Sequence, residues 1–153
     1  MSDTPQTPFN PMDYEFDPKV MMKMMSRNGH NALIGIEPLT FGADWVELRL
    51  PYNEALASDA DTGILASGPI FTMMDMATSM SIWLKRGFFA PQATLDLRVD
   101  YLRPAEPGKD VFGRGECYRL TKSIAFVRGQ AHDGDPERPV AHVAGTYMFT
   151  AGA

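Results

Sequence analysis

One cysteine, Cys117, stands among 153 residues, so the chain cannot close a disulfide on itself and offers no thiolate cluster for zinc. Only three histidines occur, His30, His132 and His142, and their wide separation matches no metal-ligand spacing. Positive charge is also scarce, with 14 Lys and Arg against 19 Asp and Glu and a formal net charge of −5. No run of basic residues interleaves with aromatics, which argues against nucleic acid or an anionic membrane as a partner. An apolar leader is missing: residues 1–16 are polar and acidic and carry Pro5, Pro8 and Pro11, so they read as a flexible tail and not as a signal peptide. Ser67 to Leu84 touches the lower length limit of a membrane span, yet Pro69, Asp75 and its hydroxyls mark a buried helix instead. These absences predict a metal-free, cytoplasmic, soluble protein whose partners are small molecules.

At 44% hydrophobic residues the chain can bury a substantial core, and residues 17–153 read as one domain. Asp17 followed by Pro18 starts a short amphipathic helix through Val20, Met21, Met24 and Met25, which Asn28 and Gly29 stop. Five of the eleven methionines fall between Met12 and Met25, fitting core packing or subunit contact ahead of ligand contact. Two strands, from Ala32 to Leu39 and from Asp44 to Leu50, turn at Gly42, and Val46, Leu48 and Leu50 alternate with Trp45, Glu47 and Arg49. Tyr52 to Thr62 reads as an exposed loop, with Ser67 as the cap of the helix that follows and Lys85, Arg86 and Gly87 as its end. Thr94 to Leu102 alternates strictly, which predicts Leu95, Leu97, Val99 and Tyr101 on a buried face and Asp96, Arg98 and Asp100 in water. Val111 to Leu120, Ser123 to His132 and Val140 to Thr150 complete an antiparallel meander. The order of elements predicts an α+β fold in which a six-stranded sheet wraps around one long central helix, with a short helix at the N-terminus.

Within that helix Asp75 is the one charged group before Lys85. At helical spacing Gly68, Thr72, Asp75 and Ser79 fall in one small, polar row, with Thr78 beside it, while Ile70, Met73, Met74, Ala77, Met80, Ser81 and Leu84 cover the rest. A carboxylate withdrawn from water without partners is penalised by several kcal/mol, so Asp75 either bonds a neighbouring element or performs chemistry.

The stretches GILASGPIFTMMDMATSM, TLDLRVDYLRPAEPG, LTKSIAFVRGQAHD and VAHVAGTYMF, over roughly Ala32 to Thr150, resemble the hotdog-fold thioesterases of the PaaI-like, phenylacetate-degradation type. In that family the helix opens with H-G-G-x-x-x-x-L-x-D, whose last residue is the catalytic carboxylate; Asp75 fills that position. Thr94 to Pro104 match the family strand T-V-D-L-x-V-x-Y-L-R-P. The resemblance implies a homodimer, often paired into a homotetramer, with each active site shared between two chains. It implies Asp75 as general base or nucleophile, the backbone N–H groups of Ser67 and Gly68 as oxyanion donors, and Thr94 as the hydroxyl beside the carboxylate. Ala66, Thr72 and Ser79 are the expected substrate contacts. Ala66 stands where the family has histidine, and Ala60 where it has asparagine.

The expected function is hydrolysis of a small acyl- or aryl-CoA thioester without a separate cofactor, CoA being part of the substrate. A non-catalytic protein that binds acyl-CoA or an acyl carrier is the alternative, motivated by Ala60 and Ala66. Arg103, Lys122 and Arg128 are candidate contacts for CoA phosphates or simply solvated cations. Phe71, Trp83, Phe88 and Phe89 line either an acyl pocket or a dimer core. The three histidines read as polar or surface residues, and Cys117 as a small buried side chain.

Overall fold

A computed structural model describes residues 15–150; of the tail expected over residues 1–16, residues 1–14 lie outside the described residues. Helix α1 (Pro18–Arg27) begins as expected, with the Asp17 carboxylate accepting from Lys19 N at 2.8 Å. It buries Met21 and Met22, whereas Val20 faces water. Asn28 ends it by donating to Met24 O at 2.8 Å, and Gly29, at a φ of +58°, lets the chain start again. Here the expectation of a strand from Ala32 is wrong: a second short helix, α2 (Gly29–Leu33), precedes β1 (Glu37–Phe41). Strand β2 (Trp45–Leu50) follows the turn at Gly42 and alternates as predicted, with Val46, Leu48 and Leu50 buried.

The expected loop from Tyr52 to Thr62 has structure of its own. Asn53 caps a 3₁₀ turn over Glu54–Leu56, and β3 (Ala57–Asp59) pairs with β4 (Ile64–Leu65) as a small ribbon. Helix α3 (Ser67–Arg86) then runs through the core. Its N-cap is Ala66 and not Ser67, and no side chain caps it. Gly87, at a φ of +74°, ends it by donating to Trp83 O and Leu84 O.

Strands β5 (Gln92–Tyr101), β6 (Val111–Leu120), β7 (Ile124–His132) and β8 (Ala141–Phe149) complete one antiparallel sheet of order β1-β2-β6-β7-β8-β5. This is the predicted α+β hotdog arrangement of six strands around one long helix. Met73, Met74, Ala77 and Met80 of α3 meet Val46, Leu48 and Leu50 of β2 and Val111 of β6 in one buried cluster. Gly115 allows the close approach, because a Cβ there would lie 2.5 Å from Thr78 N and 2.6 Å from the Ala77 carbonyl carbon.

Strand β5 departs from its sequence pattern. A bulge between Thr94 and Asp96 inserts Leu95 as an extra residue opposite β8. Leu95 is therefore 53% exposed and not buried, and Tyr101 is also largely exposed, while Leu97 and Val99 contact the core. The same bulge turns Thr94, which strict alternation puts with Asp96 and Arg98, to the helix side.

Candidate active site

The polar row of α3 is its least covered face: Thr72, Asp75 and Ser79 are half-buried and Gly68 is exposed, amid neighbours that are almost all buried. Asp75 has the partners that its position demands. One oxygen, Oδ1, accepts from Tyr147 OH at 2.8 Å and from Thr94 Oγ1 at 3.0 Å. The two donors are direct cross-strand partners on β8 and β5, so the bulge brings both hydroxyls to one carboxylate oxygen. Oδ2 has no hydrogen-bond partner among the described residues.

Tyr147 is only 1% exposed, and its hydroxyl also reaches Thr78 Oγ1 at 2.9 Å and Asp75 O at 3.1 Å. Burial, followed by the nearby Asp75 charge, pushes the phenol well above its ordinary range, so it stays a donor through neutral pH. Thr78 Oγ1 in turn donates to Met74 O at 2.8 Å. Sequence reasoning missed Tyr147; its only signal was a phenol among inward positions of an apolar strand, which must find a buried partner.

Other expected positions are spread along the same helix. Ser67 and Gly68 lie exposed in its first turn, where backbone N–H groups have no intrahelical acceptor. Tyr101 OH donates to Ser67 O at 2.9 Å. Ala66 is half-buried at the N-cap. Thr72 Oγ1 donates to Gly68 O at 3.1 Å and lies 3.3 Å from Nε2 of His30, which is an exposed polar residue as expected and reaches one end of the polar row. Ser79 accepts from Gln92 Nε2 at 2.8 Å through both its carbonyl and its hydroxyl. A cavity of about 110 Å³ opens beside Asp75, bounded by Met25, Asn31, Thr72, Met76, Ser79 and Met80. A groove of about 320 Å³ runs past the helix start between Ser67, Ile70, Tyr101 and Ala105.

The structure does not bring the remaining singled-out residues to Asp75. Arg103 forms a bidentate pair with Asp133, at 2.7 and 2.6 Å, and also donates to Arg138 O, so its guanidinium is committed. Arg128 pairs with Glu116 on the outer face of the sheet, and Lys122 lies exposed at the turn between β6 and β7. Trp83 is buried with its ring 4.8 Å from that of Phe89, whereas Phe71 and Phe88 are exposed. Cys117 is buried, and burial pushes its thiol up to about 11. Among the described residues no group of three His, Cys, Asp or Glu could hold a metal, and no helix is long and apolar enough to cross a membrane.

The thioesterase superfamily pattern matches residues 62–140. A Pseudomonas aeruginosa protein of known structure is 37% identical, with a TM-score of 0.77 over 86% of this chain and 98% of that one. A thioesterase family protein from Silicibacter pomeroyi shares the fold at 24% identity and a TM-score of 0.74, over 89% of this chain and all of that one. The Escherichia coli PaaI protein of the phenylacetic acid degradation operon does so at 12% identity and 0.75, over 88% and 94%. The curated protein sequences contain no match.

Proposed function

This chain belongs to the thioesterase superfamily, and from that membership we propose that it hydrolyses an acyl-CoA thioester carrying a small acyl or aryl group. The observation that carries the reading is Asp75, anchored through Oδ1 by Thr94 and Tyr147 with Oδ2 left open beside a cavity. In this scheme Oδ2 takes a proton from water as the water oxygen attacks the thioester carbonyl. The resulting oxyanion is received by N–H groups of a helix first turn, the C–S bond breaks, and the proton held by Asp75 passes to the departing sulfur.

Ser67 and Gly68 are the donors in this reading, and they act on a substrate held by a second chain. Gly68 and Asp75 are seven residues apart on one helix, which separates them by about 10 Å at 1.5 Å per residue, too far to serve one carbonyl. Strand β5 is a sheet edge paired only with β8 among the described residues, and it presents exposed Leu95 and Tyr101, with Leu102 just beyond. Such an edge suits pairing with a second copy, giving a homodimer and, by further association, a homotetramer. The methionines around the small cavity suit a short or aromatic acyl group. A free buried thiol and an acyl-CoA substrate both suit the cytoplasm.

The test is thiol release from a panel of short, long and aromatic acyl-CoA thioesters, with Asp75→Asn beside the wild type. Turnover that falls at least about 100-fold in the variant is expected for loss of the base; equal turnover removes Asp75 from the mechanism. The second reading, binding without hydrolysis, draws on a helix start with no side-chain cap and an alanine at its N-cap. Calorimetric binding of acyl-CoA with no thiol released after long incubation would establish it.

A further inference from the structure

We propose that Tyr147 is a positioning residue: it fixes Asp75 through Oδ1, with Thr78 behind it, and thereby makes Oδ2 the reacting oxygen. The inference rests on the hydrolase reading for its role in rate and on geometry alone for the clamp.

Proton counting supports it. A tyrosine hydroxyl has one hydrogen to give and two lone pairs. Of the oxygens within reach of Tyr147, only Asp75 Oδ1 belongs to a carboxylate, and it is also the nearest, at 2.8 Å. Donation to an ionised acceptor is the strongest choice open to that hydrogen. Thr78 Oγ1 lies 2.9 Å away with its own hydrogen given to Met74 O, so it backs the phenol while the Tyr147 hydrogen goes to the charged Oδ1. Thr94 adds a second donor to the same oxygen from the adjacent strand. Two donors from two paired strands hold one end of the carboxylate against the sheet. The free end therefore points away from both donors, toward the open side of the helix.

Tyr147→Phe removes one oxygen and keeps the ring, and Thr78 remains satisfied by Met74 O. On the best substrate of the panel, loss of one hydrogen bond to a charged group predicts a fall in kcat of about 10- to 100-fold with KM within about threefold. Placed on top of Asp75→Asn, the same change should do nothing further to turnover, because the base that it positions is gone even though the amide oxygen can still accept. An unchanged kcat in folded Tyr147→Phe overturns the proposal, as does an equal further loss in the Asp75→Asn background. The failure of the hydrolase reading shows separately, as absence of thiol release from the wild type. In that event the ¹³Cγ resonance of Asp75 decides the clamp: a shift in Tyr147→Phe supports it and an unmoved resonance overturns it.

Discussion

Apart from its chain neighbours and the backbone of its own helix, a methyl group added at Gly68 would meet no atom of the chain within 4 Å. Gly68→Ala should therefore leave the melting temperature unchanged or raised, since alanine favours a helix by up to about 1 kcal/mol over glycine. Yet kcat/KM should fall more than about tenfold, because only a bound substrate or a second chain can feel that methyl. Thermal melting and kinetics on one preparation check both halves. Cys117 behaves in the opposite sense: buried and with its thiol raised to about 11, it should react slowly with a disulfide reagent at pH 8 and rapidly once the protein is unfolded. Spectrophotometric thiol titration with and without denaturant tests this. At this scale Asp75 was legible because one carboxylate in an apolar helix demands a reason. Tyr147 and the contact of His30 with Thr72 were not, because the partners lie 72 and 42 residues away and no local pattern encodes them.

Between α3 and β6 two glycines face the helix, and their substitution should differ sharply. A Cβ at Gly113 meets the ends of the Met73 and Met74 side chains, which can swing aside, whereas one at Gly115 meets helix backbone. Gly115→Ala should cost about 1–3 kcal/mol or more and Gly113→Ala distinctly less, read from denaturant midpoints. Beyond the strand ends, Arg103 after β5 grips Asp133 after β7, whose side chain is 3% exposed. The Arg103 hydrogen bonds, joined by one from Glu106 N, hold the Asp133 carboxyl well below the usual carboxylate range. Its contribution is thus fully present above about pH 4, where an unfolded aspartate is ionised, and is lost as pH falls further. Asp133→Asn should lower the melting temperature at pH 7, and its gap from wild type should narrow by pH 3. Strands with clean alternation, β2 above all, were legible at this scale. The segment from Ala32 to Leu39 was not, because a short apolar run fits a helical turn as well as a strand, and the restart at Gly29 decides between them.

For the molecule as a whole, the fold could be read because a single long apolar helix among alternating strands has few ways to be covered. The site could be read only in half, since about 10 Å of helix separates the expected donors from the expected base. Sedimentation should give a mass of at least twice 16.9 kDa. Mixing Gly68→Ala with Asp75→Asn subunits after reversible dissociation should restore about a quarter of wild-type turnover, because half of the dimers are mixed and each then holds one intact site. No recovery would place both groups in one chain. The bulge at Leu95 carries one more consequence, for length and not for composition. The strand is out of phase with itself: residues before Leu95 obey one parity and residues after Asp96 the other. Deleting Leu95 outright would bring the two halves back into step with Thr94 still facing the helix. The two hydroxyls at Asp75 thus depend on the pairing of Thr94 with Tyr147 and not on the number of residues after it, so a strand one residue shorter here can keep the same pair.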